Sequence, residues 1–223
     1  MLYSFTHQDA LPELQLLKGL EIRRNREPAF MAEIGQTSVD EARKRFAAGH
    51  KAYVAYLHGL PTAFGWVATH TARIGELNHE FQLPARHRYL WNFRTLIDFR
   101  GLGIYPHLLQ AILKDELTNS EQIWIMHAPE NTASERGILK AGFTLTGQVS
   151  VINESEVIFT TGSQAQPLEE VLSTFGFMKS EEEPASCWNC SSPYLKNRIP
   201  SCCCAPRDME CTRNLYAQAE LVL

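Results

Sequence analysis

Cysteine is absent from the first 186 residues of this 223-residue chain, and all six cysteines lie between Cys187 and Cys211. This distribution excludes a disulfide framework over most of the chain. The N-terminal fourteen residues contain neither a basic stretch nor a continuous apolar stretch, so we expect no signal peptide and a cytoplasmic protein. In that setting, a cluster of cysteines indicates metal binding rather than disulfide bonds.

The chain also lacks an excess of basic residues and any long apolar run. Its formal net charge of −4 does not favour non-specific binding to nucleic acid. No stretch approaches the ~18 apolar residues needed to cross a bilayer. We therefore expect neither a nucleic-acid partner nor a membrane partner. With 44% apolar and 21% charged residues, the chain has the composition of a globular protein with one sizeable core.

The common glycine motifs for phosphate binding, G-x-x-x-x-G-K-[ST] and G-x-G-x-x-G, are missing. One glycine-rich turn nevertheless stands out, Arg100-Gly101-Leu102-Gly103. A β-prone stretch ends before it at Phe99, and an apolar-periodic helix follows from about Ile104. The first N–H groups of a helix lack internal partners and carry partial positive charge, and glycine lets an anion approach closely. The turn therefore predicts a phosphate site, although an ordinary strand–turn–helix joint would have the same pattern.

Hydrophobic periodicity predicts an α/β fold with a mixed sheet, in the order β-α-α-β-β-β-α-β-α-β-β. Residues 25–36 and 72–88 are predicted to be irregular, and Gly65 marks a bulge. Capping boxes are predicted at Ser38 with Glu41 and at Thr132 with Glu135. The predicted helices cover residues 9–24, 38–48, 105–117, 133–141 and 167–178, and the predicted strands cover residues 2–5, 52–57, 63–71, 89–99, 122–126, 143–152 and 155–161.

Two stretches resemble the GNAT superfamily of acyl-CoA-dependent N-acyltransferases. Arg100-x-x-Gly103-x-Tyr105 is similar to the family pattern Q/R-x-x-G-x-G/A, with Tyr105 in place of the last small residue. The stretch NTASERGILKAGF is similar to a second family stretch, in which Asn131, Ser134 and the terminal glycine and phenylalanine match. Since the order of elements also agrees, the resemblance covers residues 1 to about 162.

The resemblance implies a largely antiparallel central sheet flanked by helices, with two parallel strands that splay apart to admit acetyl-CoA. Backbone amides of the glycine turn would hold the pyrophosphate, and backbone near Leu96 and Ile97 would pair with the pantetheine arm, which Asn131 also contacts. The cofactor-binding residues implied in this way are Leu96, Ile97, Arg100, Gly101, Leu102, Gly103, Ile104, Tyr105, Asn131 and Ser134.

The resemblance does not supply the acid and the base of the reaction. The family's tyrosine, seven residues after the asparagine, is Ile138 here, and the strand before the glycine turn contains no glutamate. Tyr105 is the candidate acid. The candidate bases are Glu76 and Tyr89, with His79, Glu80 and Asp98 as further candidates and a chain of water molecules as an equal alternative.

The expected reaction is acetyl transfer to a primary amine on a small molecule or a protein. The acceptor is expected between the 25–36 loop and the 152–155 turn. The expected partners are this amine substrate and, as an option, a second copy of the chain in a homodimer. The alternative is a non-catalytic acyl-CoA-binding or metal-sensing module, which the missing tyrosine and glutamate favour.

The cysteine-rich tail is not covered by the resemblance. We divide the chain into an acetyltransferase domain, residues 1–165, and a region of residues 166–223 with a helix and this tail. Cys187-x-x-Cys190 can chelate one ion, and a second pair would complete a tetrahedral zinc site. We assign Cys187, Cys190, Cys203 and Cys211 as ligands, with Cys202 as an alternative to Cys203. An iron–sulfur cluster or a tail without metal are the other interpretations.

Overall fold

The computed structural model describes residues 1–152, 156–161 and 168–194, apart from the side chains of residues 189 and 190. The helices in this part are α1 (Pro28–Gly35), α2 (Val39–Ala47), α3 (Ile104–Glu116), α4 (Thr132–Ala141), α5 (Leu168–Phe175) and α6 (Trp188–Ser191). The strands are β1 (Leu2–Thr6), β2 (Leu20–Asn25), β3 (Lys51–Leu57), β4 (Leu60–Ala68), β5 (Thr71–Ile74), β6 (His79–Gln82), β7 (His87–Thr95), β8 (Gln122–Met126), β9 (Thr144–Ile152), β10 (Glu156–Thr161) and β11 (Met178–Lys179).

Across the described residues, nine strands form one sheet in the order β11-β10-β9-β1-β8-β7-β4-β3-β2. Neighbours are antiparallel except β7 with β8 in the centre and β10 with β11 at one edge. Strands β5 and β6 form a separate antiparallel hairpin. This arrangement confirms the predicted α/β class with a mixed, largely antiparallel sheet.

The two faces of the sheet are buried by different helices, because successive side chains of a strand point to opposite faces. Leu90, Ile123 and Ile125 lie in a core cluster with the apolar side of α3 and the end of α4. Tyr89 and Trp124 lie in another cluster with the β5–β6 hairpin and α5. A third cluster joins α1 and α2 to β3 and β4.

The central parallel pair is interrupted at a defined point. The ladder between β7 and β8 runs from His87 with Gln122 to Leu90 with Ile125, and no later pair joins the two strands among the described residues. Strand β7 continues to Thr95 beside β4. Asn92 has a left-handed φ of 50°, and the register with β4 shifts here, because Asn92 and Phe93 together lie opposite Gly65. The extra residue is therefore on β7, whereas the sequence predicted the bulge at Gly65 on the facing strand. The backbone of β7 therefore has an open side beyond Leu90.

The N-terminal part differs from the sequence prediction. Residues 9–24 are not a helix, since residues 10–17 have no regular secondary structure and edge strand β2 begins at Leu20. Pro12 and the irregular spacing of the leucines do not support a helical stripe, whereas residues 20–23 alternate apolar and charged side chains as a strand does. The predicted loop at residues 25–36 is wrong as well, because Pro28 begins helix α1, where a missing N–H costs little.

Three smaller predictions also need correction. Residues 72–88, expected to be irregular, contain the β5–β6 hairpin, whose apolar side chains are buried. The helix expected over residues 167–178 ends at Phe175, after which β11 adds to the sheet. The cap of α4 is Asn131 rather than Thr132, since its side chain accepts a hydrogen bond from the Ser134 N–H at 3.1 Å. The cap of α2 by Ser38 is confirmed, with a 3.0 Å bond from the Glu41 N–H.

Helix α3 is tied to the sheet at its C-terminal end by a buried carboxylate. The Glu116 side chain is fully buried and pairs with Lys51 at 2.6 Å, Arg24 at 3.1 Å and Arg88 at 3.2 Å. The Tyr53 hydroxyl also donates to it. These partners come from β2, β3 and β7, so the network fixes the direction of the helix that begins at the glycine turn.

The C-terminal region contributes to the same core as the rest of the sheet. Val171, Phe175, Phe177 and Trp188 are buried in one cluster with Tyr89 and Trp124. The proposed division at residue 165 falls in a stretch outside the described residues and stays a prediction.

No helix in the part of the chain that the structure describes is long and apolar enough to cross a membrane.

Candidate functional site

The glycine turn is open and lies where β7 leads into α3. Gly101 and Gly103 have φ angles of +79° and +78°, which glycine adopts without strain. A Cβ built on either residue would meet no atom within 4 Å in the described part of the chain. Gly103 is the N-cap of α3 and has no side-chain cap from the described residues. The turn therefore presents backbone donors of a helix start to an unfilled space, which suits an anion.

The residues just before the turn, which the sequence predicted to pair with the pantetheine arm, are not in a free strand. Leu96 is the first residue after β7, and its N–H already donates to the Thr62 carbonyl at 2.8 Å. Ile97 opens a short 3-10 turn and is 74% exposed. Arg100 is exposed and donates to the Thr95 carbonyl at 3.2 Å. The open backbone in this region is therefore on β7 itself, beside Asn92.

Tyr105 extends from the first turn of α3 to α4. Its ring lies 5.6 Å from that of Phe93 on β7 and fills the space that a side chain on Gly137 would need, since a Cβ there would come within 2.3 Å of the ring. The Tyr105 hydroxyl lies 3.4 Å from the Ser134 hydroxyl. Burial raises the pKa of Tyr105 well above its usual value, which the contact with Ser134 opposes only in part. The phenol is therefore protonated at neutral pH.

The second stretch of the resemblance forms the start of α4. Asn131 uses its side-chain oxygen to cap the helix, and Ser134 receives that cap through its N–H. Ile138, at the position of the family's tyrosine, lies on α4 and is fully buried in the core that α3 and α4 form with the sheet. The structure thus brings Ser134, Gly137 and Tyr105 together, and the phenol comes from α3 rather than α4.

Glu76 lies in the short 3-10 turn between β5 and β6, and its neighbours Ile74 and Leu77 belong to the core cluster that contains Tyr89 and Trp124, on the face opposite α3. Its negative charge raises the pKa of the Tyr89 phenol on β7, although burial is the larger cause. Burial also raises the pKa of Glu76 itself, and the charge of Glu130, which follows β8, adds to that shift. Glu76 is therefore close enough to interact electrostatically with both the Tyr89 phenol and the Glu130 carboxylate. A carboxylate with a raised pKa is suited to accept a proton near neutral pH.

The other candidate bases are placed differently. The His79 ring bonds to the Phe175 carbonyl at 2.6 Å and packs on Phe81 and Phe177, so it holds α5 to the hairpin. Glu80 is exposed on β6, and Asp98 is exposed in the 3-10 turn. Of the bases named from the sequence, Glu76 and Tyr89 are the two that interact with each other electrostatically.

Sequence reasoning missed a polar group at the C-terminal end of β8. The His127 ring stacks on Tyr3 at 5.3 Å, and its Nε2 lies 3.1 Å from the Tyr3 hydroxyl. That hydroxyl also donates to Glu135 on α4 at 3.3 Å. Burial lowers the pKa of His127 to about 3, so its imidazole is neutral. The stretch His127-Ala-Pro-Glu130, directly after a strand and before Asn131, is the signal that could have pointed to these residues.

The acceptor side and the metal site are described only in part. Helix α1 takes the place of the expected 25–36 loop, and Gln36 after it accepts a 2.5 Å hydrogen bond from Arg94 on β7. Residues 153–155, of the expected acceptor turn, lie outside the described residues, as do Cys203 and Cys211 and the Cys190 side chain. Cys187 is 2% exposed at the start of α6. No group of three potential metal-binding side chains occurs among the described residues.

Comparison with known proteins gives likeness to solved structures alone. No family model matches the chain, and no curated protein matches it. The chain is similar to a GCN5-related N-acetyltransferase from Kribbella flavida, with 14% identity and a TM-score of 0.45, over 64% of this chain and 52% of that chain. It thus spans about half the length of that relative.

Two further solved structures are aminoglycoside acetyltransferases. One is the aminoglycoside N-acetyltransferase AAC(6')-Iy in complex with CoA, with 17% identity and a TM-score of 0.47, over 60% of this chain and 98% of that chain. The other comes from an uncultured soil metagenomic sample and is in complex with sisomicin. It has 12% identity and a TM-score of 0.43, over 61% of this chain and 94% of that chain.

Proposed function

We propose that this protein is a cytoplasmic N-acetyltransferase of the GNAT type that moves an acetyl group from acetyl-CoA to a primary amine. The observation that carries the proposal is the open glycine turn at Arg100–Tyr105, which follows the central strand β7. The parallel ladder of β7 with β8 ends at Leu90, before β7 reaches this turn. The turn offers donors for a pyrophosphate, and β7 offers unpaired backbone for an amide-containing arm. Acetyl-CoA is a cosubstrate that combines these two chemical groups.

In the proposed reaction, the neutral amine attacks the thioester carbonyl, so that a C–N bond forms and the C–S bond breaks. The proton lost by the amine goes to Glu76, because burial raises the pKa of this carboxyl group and so makes its carboxylate a stronger base. The CoA thiolate takes a proton from the Tyr105 hydroxyl, which buried surroundings keep protonated. Solvent then restores both groups. Base and acid approach the reacting centre from opposite faces of the sheet.

Turnover tests the reaction most directly. Purified protein should release free CoA from acetyl-CoA in the presence of at least one member of a panel of amino sugars, polyamines, amino acids and peptides. Mass spectrometry of the product should show one added acetyl group on nitrogen. Binding of acetyl-CoA without turnover on any amine would favour the alternative, a non-catalytic acyl-CoA-binding module.

The cofactor site has its own test in the thermal stability of the protein. Acetyl-CoA should raise the Tm, because a ligand that binds only the native state stabilises it by mass action. Gly103→Glu should abolish that shift, since it places a side chain and a negative charge in the open turn. Gly59→Glu is the matched control, because Gly59 has a φ of +82° and equally open surroundings within the described residues, but lies in the β3–β4 turn. A shift that survives in Gly103→Glu would overturn the site.

A further inference from the structure

A short segment, residues 185–192, packs on the same face of the sheet as the β5–β6 hairpin, whose connecting turn contains Glu76. The indole N–H of Trp188 donates to the Val149 carbonyl at 2.7 Å, and the ring is 1% exposed. Just before it, the Ala185 N–H donates to Ser150 at 3.0 Å, and its carbonyl accepts from Gln148 at 2.8 Å. Strand β9 thus anchors the segment by three hydrogen bonds from successive residues.

From this anchored position the segment contacts both glutamates of the candidate site. The backbone N–H of Trp188 donates to the Glu130 carboxylate at 3.0 Å. The hydroxyl of Ser192, which is fully buried, donates to the backbone carbonyl of Glu76. Trp188 and Ser192 are themselves joined by a 2.8 Å backbone bond across one helical turn. One turn of backbone therefore reaches Glu76 and Glu130 at the same time.

We infer that the turn Trp188–Ser192 is a positioning element of the active site, which sets the placement of Glu76 and Glu130 relative to the end of the β7–β8 ladder. This inference rests on the proposed function, in which Glu76 accepts the proton of the amine. Ser192 and the Trp188 backbone act through the glutamates and do not touch the substrate. A region that lies beyond the GNAT resemblance thereby becomes part of the catalytic apparatus.

Paired substitutions separate positioning from a merely structural role. Ser192→Ala removes the hydroxyl that holds the Glu76 backbone and should lower kcat about 10-fold or more while leaving the KM for acetyl-CoA unchanged, since small misplacements of a reacting group are costly. Ser192→Thr keeps a hydroxyl and should restore most of kcat. On the second arm, Glu130→Ala should lower kcat, whereas Glu130→Gln keeps an acceptor for the Trp188 N–H and should recover it.

Ser191→Ala is the control for the turn itself. The Ser191 hydroxyl bonds to the Cys187 carbonyl within the same turn and reaches neither glutamate in the described contacts, so this variant should keep wild-type kcat. Thermal unfolding of each variant reports on folding separately from activity. Wild-type kcat in both Ser192→Ala and Glu130→Ala would overturn this inference alone. A wild-type protein without turnover on any amine would overturn the proposed function and the positioning role with it.

Discussion

The side chain of Tyr105 is held on three sides, by Phe93, by the bare backbone of Gly137 and by Ser134. Only the hydroxyl is available for proton transfer. Tyr105→Phe should therefore lower kcat by ~10²-fold or more while leaving acetyl-CoA affinity and stability nearly unchanged. Steady-state kinetics and calorimetric binding measure the two effects.

Tyr56→Phe provides a matched control, because Tyr56 is also largely buried and stacked on a ring but lies on β3, away from the glycine turn. Its kcat should equal that of the wild type. If Tyr105→Phe also turned over at the wild-type rate, the proton for the thiolate would come from solvent instead.

His127 makes stability depend on pH. Its pKa of about 3 in the folded protein lies below the ~6.5 of an unfolded histidine, so between these values the unfolded chain binds a proton that the folded chain does not. Stability should therefore decrease as the pH falls below 6.5, by about 2 kcal/mol from this residue between pH 6.5 and pH 5.

His127→Asn tests that contribution, because asparagine keeps a donor for the neighbouring Ala128 carbonyl but does not titrate in this range. Urea unfolding at pH 7.5 and pH 5 should show a smaller loss of stability for the variant than for the wild type. Equal losses would show that His127 does not carry this pH dependence.

At the scale of single residues, the sequence could identify groups whose role is local. The glycine turn and the cap by Ser38 depend on neighbours within four residues, and both are visible as patterns. Glu130 and Tyr3 were missed because their partners, Trp188 and Glu135, are 58 and 132 residues away along the chain. Such contacts exist only once the sheet has brought β1, β8 and β9 together.

Among the elements, α3 connects the anion-binding turn at its start to the buried Glu116 at its end. A carboxylate at a helix C-terminus is opposed by the helix dipole, and here two arginines and a lysine compensate for it. Removing one partner of a buried ion pair leaves the others uncompensated. Glu116→Ala should therefore destabilise the protein by about 3–5 kcal/mol.

Glu121→Ala is the comparison for Glu116. Glu121 pairs with Arg86 at a similar distance of 3.0 Å, but both side chains are about 60% exposed, and such pairs contribute at most ~1 kcal/mol. The two free energies of unfolding, measured in urea, should differ several-fold. Similar values would mean that the buried network does not stabilise the end of α3.

Element prediction succeeded where periodicity and caps agreed and failed where tertiary packing decided. Helices α2, α3 and α4 have clear apolar stripes and terminal glycine or cap residues, and they lie within a residue or two of their predicted bounds. Strand β2 is short and half exposed at the edge, so its two apolar residues and its charged residues are equally compatible with a helix. Its strand conformation comes from pairing with β3.

At the scale of the whole molecule, the cysteine-rich tail carries the predicted metal site. Cys187 is buried beside Trp188, so any metal bound through it would lie next to the turn that contacts both glutamates. We predict one zinc ion per chain, held by Cys187 and Cys190 with two later cysteines. Inductively coupled plasma mass spectrometry should find stoichiometric zinc in the wild type and in Ser186→Ala, and none in Cys187→Ser/Cys190→Ser.

Chelation should unfold the tail beyond the Trp188–Ser192 turn and spare the remaining fold, because metal binding and folding of so small a segment are coupled. Stoichiometric iron with visible absorption would replace zinc by an iron–sulfur cluster. Protein purified under reducing conditions without any metal would contradict both forms of the site.

The early end of the β7–β8 ladder also has a consequence for amide hydrogen exchange. Backbone groups of a strand point alternately to its two sides, so beyond Leu90 about half of the β7 amides face β4 and the others face the open side. In the free protein, these two sets should exchange with deuterium at clearly different rates. Acetyl-CoA bound along the open side would slow the second set alone, so protection would be confined to part of the residues between Asn92 and Thr95, where the left-handed Asn92 interrupts strict alternation.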